Sequence, residues 1–175
     1  GLGLGIFTET MARLDARKNI DIAHHNVTER KIASVLEFMT IRLEGYPGIR
    51  LKLTLDDRDL SGEYLLLEAL NIRYIGPNLC LAPGADPGDG LFDVVLVSND
   101  QRSQLKQYLS ERLEGKSDCA VLTVHKGRHL HIECDCFPVH IDDDLRMKSG
   151  PPTPFSSAEI DMTLDAAALE FLTPG

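Results

Sequence analysis

Apolar side chains recur at helical spacing between residues 26 and 44. Ile32, Val35, Leu36, Met39 and Leu43 follow the i, i+3, i+4 rule and predict one amphipathic helix. Asn26 or Thr28 is placed to cap its start, and Gly45 follows its last charged residue. Met11 and Leu14 point to a shorter helix before it. At Ile49 the period falls to two. Ile49, Leu51, Leu53 and Leu55 alternate with Arg50, Lys52 and Thr54, which predicts a half-buried strand. Asp56-Asp57-Arg58-Asp59 reads as the turn after it. Short apolar runs follow at 64–70, 79–82 and 92–97, each bounded by Gly, Pro, Asn or Asp. A further helix is predicted over 102–114, with the stripe Leu105, Tyr108, Leu109 and Leu113, Asp100 near its start and Gly115 at its end.

Strands resume after Cys119. Residues 120–124 and 130–136 read as hairpin partners around Lys126-Gly127, and further strands are expected at 138–141, 158–162 and 169–172. Pro151, Pro152 and Pro154 mark a loop between them. No repeat and no linker divides the chain, so residues 1–175 read as a single domain. The expected class is α+β and β-rich: a two-layer antiparallel β-sandwich with two or three flanking helices.

Composition narrows the function classes. The chain has 175 residues, 43% hydrophobic and 26% charged, which excludes disorder and collagen-like repeats. Lys and Arg number 18 against 27 Asp and Glu, a formal net charge of −9. Such a chain does not hold nucleic acid through its bulk field, and an anionic membrane repels it on average. Any lipid contact is therefore local. Trp is absent and aromatics are 6%, against a base-stacking platform. No apolar run approaches the ~20 residues that span a bilayer. No signal segment opens the chain, and its first residue, Gly1, suggests a piece of a longer protein. The four cysteines, Cys80, Cys119, Cys134 and Cys136, are too few for a disulfide scaffold and fit a reducing cytoplasm.

Four stretches invite chemistry. Gly1-Leu2-Gly3-Leu4-Gly5 lacks the GxGxxG spacing and reads as a tight backbone crossing rather than a phosphate loop. In 129–136, strand parity puts Leu130, Ile132, Cys134 and Cys136 on a core face. His129, His131, Glu133 and Asp135 fall on a wet one, so a zinc site mixing the two sets needs ligands from opposite sides of one strand. His24-His25 diverge and read as surface residues. The segment Ala82-Pro83-Gly84-Ala85-Asp86-Pro87-Gly88-Asp89-Gly90-Leu91-Phe92-Asp93 is forced into a compact loop by its prolines and glycines. It either aims carbonyls and a carboxylate at a hard cation or is an acidic turn between strands. Asp142-Asp143-Asp144 is either a solvated turn or a source of one carboxylate with a raised pKa, usable as a general base unless a cation lies nearby.

The last two stretches, in that order with strands between them, resemble the diacylglycerol kinase and sphingosine kinase family of lipid kinases. Its pattern runs roughly APxAxxDDGLLDVV, then strands leading to a DGE, then an AL-x-hydrophobic-hydrophobic-x-P ending. The matching stretches are Ala82 through Val95, Asp142-Asp143-Asp144, and Ala168-Leu169-Glu170-Phe171-Leu172-Thr173-Pro174. The opening glycines look like the start of the family's second domain, and Asn71 to Gly76 resembles its Asn-containing strand.

The resemblance implies the C-terminal half of an ATP-dependent kinase for a lipid alcohol such as diacylglycerol or a sphingoid base. Neither the family's GGDGT nucleotide loop nor a Walker motif occurs here. The chain alone is therefore expected to be inactive and to work with its own N-terminal nucleotide-binding domain, which binds most of the ATP. Carried over residue by residue, Asp89 is the side-chain ligand of a structural Mg²⁺, Asp86 and Leu91 give backbone carbonyls, and Asp144 is the catalytic base. The sequence departs from the pattern at Gly88, where the first DDG aspartate would stand, and at Asp143 and Asp144, which replace the Gly and Glu of DGE. The implied location is cytoplasmic and peripheral to the membrane, with a homodimer through exposed sheet edges as a further expectation. The alternatives are a non-catalytic lipid-binding or regulatory module of the same fold and an NAD-kinase-like enzyme. An apolar cleft counts against the latter.

Overall fold

The computed structural model describes residues 1–18, 28–76, 78–116, 118–135, 138–142, 144–146 and 158–165. His24-His25, the Asn26 cap, Cys136, Asp143, the proline loop and the 168–174 ending lie outside these residues.

The chain opens with strand β1 (Leu2–Gly5), which feeds helix α1 (Ile6–Lys18) and then α2 (Thr28–Glu44). The predicted α2 stripe is the face that packs: Leu36, Met39 and Leu43 are buried, and Ile32 packs against the core. Strands β2 (Ile49–Leu55), β3 (Arg58–Asp59) and β4 (Gly62–Leu70) follow as a hairpin, in which β3 and then the start of β4 run antiparallel to β2. In β2 the alternation becomes burial: Ile49, Leu51, Leu53 and Leu55 point inward and Arg50 and Lys52 outward. A small hairpin, β5 (Tyr74–Ile75) and β6 (Leu79–Cys80), leads into the 82–93 loop and β7 (Phe92–Ser98). All residues of β7 up to Val97 are buried, so its continuous apolar run reflects cover on both faces.

A 3₁₀ turn (Asn99–Gln101) starts helix α3 (Arg102–Leu113), which buries Leu105, Tyr108 and Leu109 and ends at Gly115 with φ of 69°. Strands β8 (Thr123–Gly127), β9 (His129–Cys134), β10 (Val139–Ile141), β11 (Asp144–Arg146) and β12 (Ala158–Thr163) complete the fold.

Apart from the separate β5–β6 pair, the strands form one antiparallel sheet that curls on itself, in the order β11-β10-β1-β4-β2-β9-β12, with β3 also on β2, β7 on β4 and β8 on β7. The hinge of this arrangement is β4. One edge pairs with β7, while the other pairs with β2 at 62–64 and with β1 at 66–69. The register shifts between Tyr64 and Leu66, where the sheet divides. The three helices complete a strand-rich α+β fold of the sandwich type expected.

Two expectations are corrected. β8 and β9 are not hairpin partners: β8 pairs with β7, whereas β9 lies between β2 and β12. Only Arg128 separates them, too short a link for a hairpin turn, so the chain passes a corner between the two parts of the sheet. Gly127 is required there, because a Cβ would stand 2.6 Å from the Leu55 side chain. The Asp56 carboxylate secures the corner by accepting the Arg128 and His129 N–H groups at 3.0 and 2.9 Å.

The cysteines also depart from the reduced state expected of them. Cys80 and Cys119 form a disulfide with Cα atoms 4.5 Å apart, beside an Ala120 N–H to Cys80 carbonyl bond of 2.8 Å. That bond lays the segment after α3 alongside β6, a pairing that no local pattern encodes.

Candidate functional site

The 82–93 loop is closed. The Ala85 N–H bonds the Ala82 carbonyl at 3.0 Å, and the Asp89 N–H bonds the Asp86 carbonyl at 3.2 Å. The Asp86 carboxylate accepts the Gly88 N–H at 2.8 Å, an Asx turn that consumes its side chain locally. Asp89 is turned inward: Oδ1 accepts the Leu91 N–H at 2.9 Å and Oδ2 meets the Lys126 ammonium at 2.7 Å. Lys126 reaches from β8 and also touches Asp93 Oδ2 at 3.3 Å and the Gly84 carbonyl at 3.4 Å. Lys126, then the Leu91 amide, hold the Asp89 carboxyl below its ordinary pKa. Asp93 shifts the other way, because burial of its carboxyl outweighs the pull of Lys126. Sequence reasoning singled out Asp86, Asp89 and Leu91, and one loop brings them together. Lys126 and Asp93 were missed as partners, because Lys126 reaches the loop only through the pairing of β8 with β7, which no local pattern announces.

Asp144 stands apart. It opens β11 opposite Ile141, is 78% exposed, and lies 3.4 Å from Arg146. Cross-strand pairing runs Asp144–Ile141–Leu2–Ala69–Val94, so Asp144 shares a row with the start of β7, at the loop's end of the sheet. Four strand spacings, roughly 19 Å in a flat sheet, separate the two ends of that row. Asp142, of the same acidic run, has its Oδ1 2.5 Å from the Gly1 nitrogen, which ties the end of β10 to the start of β1.

Between them lies a feature that the sequence did not announce. Glu68 of β4 and His140 of β10 are buried, at 0% and 3% exposure, and meet across β1. His140 Nε2 lies 3.1 and 3.0 Å from the two Glu68 oxygens, and Nδ1 donates to the Asp142 carbonyl at 3.0 Å. Burial alone pulls the His140 pKa down, but the Glu68 carboxylate and the Asp142 carbonyl together raise it. Burial pushes the Glu68 carboxyl up against the pull of His140. Both ring nitrogens are engaged, which makes His140 an anchor for the β10–β11 turn. The contact needs Gly3, whose absent Cβ would stand 2.2 Å from Nε2 and 2.3 Å from Glu68 Oε2. The opening glycines are thus a close crossing within a strand.

On the helix side of this pair is a cleft of about 250 Å³. Phe7, Met11, Leu70 and Ile72 give it apolar walls, while His140 and Asp142 form its polar side. Phe7 packs edge-on against His140 with ring centroids 5.4 Å apart.

Strand parity in β9 is as read. Leu130, Ile132 and Cys134 are buried and His129, His131 and Glu133 face outward, so no Cys joins a histidine site among the described residues.

Comparisons with known proteins agree with this architecture. Two curated relatives, both named "Diacylglycerol kinase" and from two strains of Mycobacterium tuberculosis (CDC 1551 / Oshkosh and ATCC 25618 / H37Rv), are each 28% identical over 125 residues. The match covers 70% of this chain and 38% of each relative, so the chain spans well under half their length. A diacylglycerol kinase structure from Bacillus anthracis str. Sterne superposes with a TM-score of 0.50 at 17% identity, over 93% of this chain and 48% of that one. A second structure from the same organism gives 0.54 at 16% identity, over 94% and 47%. At these identities the structures show the fold alone. The family described as the YegS C-terminal NAD kinase beta sandwich-like domain matches residues 10–156. By that match over most of its length, the chain belongs to the family of YegS C-terminal NAD kinase beta sandwich-like domains.

Proposed function

We propose that this chain is the C-terminal half of an ATP-dependent lipid kinase-like protein, one that moves the γ-phosphoryl group of ATP to a lipid hydroxyl. The supporting observation is the apolar cleft whose polar side, His140 and Asp142, is the root of the turn leading to Asp144. An apolar wall suits a lipid alcohol better than the soluble nucleotide of an NAD-kinase-like enzyme. The exposed Ile72 and Tyr74 at this cleft would provide a local membrane contact on an otherwise acidic protein.

In this reading Asp144 accepts the hydroxyl proton as the lipid oxygen attacks the γ-phosphorus and the bond to the ADP oxygen breaks. ATP is held mainly by an N-terminal nucleotide-binding domain. Asp89, through its carboxylate, and Asp86 and Leu91, through their carbonyls, would hold a structural Mg²⁺. The Lys126 ammonium on Asp89 shows that this carboxylate faces a positive charge, and an ion bound there would share Asp89 with Lys126. Bound there, the ion would supply a fixed positive charge that keeps the loop closed. Exposure of Asp144 and its ion pair with Arg146 give a specific ground for the second reading, a lipid-binding module without catalysis.

A kinase assay on the full-length protein with diacylglycerol and sphingoid-base acceptors separates the two. The catalytic reading expects Asp144→Ala to lower kcat by ~10²-fold or more while the protein still binds lipid. Full activity in Asp144→Ala overturns the assignment of the base, and lipid binding without any phosphorylation by the wild type selects the module.

A further inference from the structure

We propose that the outward face of β9 and β12 is a binding site for a borderline divalent transition ion of the Zn²⁺, Ni²⁺ or Cu²⁺ class. Its ligands are His129 and His131 from one strand and Glu159 and Asp161 from the other. This site is independent of the phosphotransfer reading above.

The backbone creates the juxtaposition. His129 and His131 are two residues apart in β9 and so share a face. The antiparallel register sets Asp161 directly opposite His131, and Glu159 opposite Glu133. Directly opposed side chains start with Cβ atoms only about 4.5–5.5 Å apart, so rotamer changes alone bring their tips onto one centre. The tips have largely converged already. Asp161 Oδ1 lies 2.8 Å from His131 Nδ1 and 3.5 Å from His129 Nε2. One ligand atom each from His131, Glu159 and Asp161 lie within 4.8 Å of one another.

Charge favours a dication. Glu133, Glu159 and Asp161 crowd the histidines, and the nearby Lys52 is occupied by Glu133 at 2.9 Å. Two carboxylates therefore face two imidazoles, with no Lys or Arg ion-paired to Glu159 or Asp161 among the described residues. A mixed imidazole and carboxylate set is typical of zinc, nickel and copper sites, whereas Mg²⁺ takes oxygen ligands and gives up its water reluctantly. β12 ends the strand order, so an ion shared between the two strands would fasten the sheet's terminal strand to its neighbour.

The test is calorimetric titration of ZnCl₂ into full-length protein free of any histidine tag and stripped with a chelator. The expected result is one saturable site that millimolar MgCl₂ does not displace. His131→Gln and Asp161→Asn should each weaken that site by ~10-fold or more, since even partners of metal ligands cost that much when lost. Both side chains point away from the core, Asp161 exposed and His131 half-buried, so the variants keep the fold, and circular dichroism checks this. A double variant His24→Ala/His25→Ala should bind as the wild type does. Absence of a saturable site in the wild type overturns the proposal. So does a site that survives both His131→Gln and Asp161→Asn, or one that vanishes in the His24/His25 variant.

Discussion

His140 Nε2 and Glu68 Oε2 stand 3.0 Å apart across the backbone of β1, with Gly3 beneath them. The two strands that carry them, β10 and β4, do not pair with each other; they flank β1 on either side. The ion pair is therefore a strap over the central strand, and it ends at the Asp142 carbonyl that roots the candidate catalytic turn.

Gly3→Ala is the most direct test of this strap. Its methyl would meet both His140 and Glu68 at under 2.5 Å, so the pair must part or the strand must move. Overpacking of this kind costs about 1–3 kcal/mol, read as a lower urea midpoint with an unchanged slope.

The strap also predicts a pH dependence. The folded pKa of His140 is raised, so its proton is held more tightly in the folded protein than in the unfolded chain. Its stabilisation is complete below the unfolded value of ~6.5 and is lost as pH rises through the higher folded pKa. Urea midpoints measured upward from pH 6 should fall across that window. His140→Gln should be less stable at pH 6 and should lose the slope. A flat wild-type profile refutes the charged pair.

The loop makes a separate prediction. With Lys126→Met, Asp89 and the nearly buried Asp93 face each other without a counter-ion, so stability should drop more than in Asp89→Ala. Adding Mg²⁺ should raise the melting temperature of the wild type and not that of Asp89→Ala, by linkage. Equal responses in both proteins would remove Asp89 from the proposed ligand set.

The Cys80–Cys119 bridge closes a segment with a sequence separation of 39. The chain-entropy relation puts its worth at about 4 kcal/mol. Cys119→Ser should lower the thermal midpoint, and reductant should lower that of the wild type but not of the variant.

These cases also mark what the sequence made legible. The β2 alternation and the α2 stripe were readable because burial of one face needs only local spacing, and both appear as read. The closed 82–93 loop was readable because proline and glycine act on their own backbone. The hairpin of β8 with β9 was misread, since apolar runs flanking a glycine say nothing about which neighbour each strand pairs with. Glu68 gave no signal inside an apolar strand, because its partner lies 72 residues away. The partners of Asp89 were hidden likewise: Lys126 is 37 positions away and reaches the loop only once β8 lies on β7.

The split edge of β4 has a consequence for how the protein comes apart. Since β1 and β2 take successive stretches of one side and β7 takes the other, no lobe of the fold can peel away while keeping its own complete set of backbone bonds. The amides of 66–70 should then exchange with deuterium only when the whole molecule opens, as the slowest class in the chain. Such a strand acts as a keystone: damage to it is felt by the loop and by the β10–β11 turn at once, although neither touches the other.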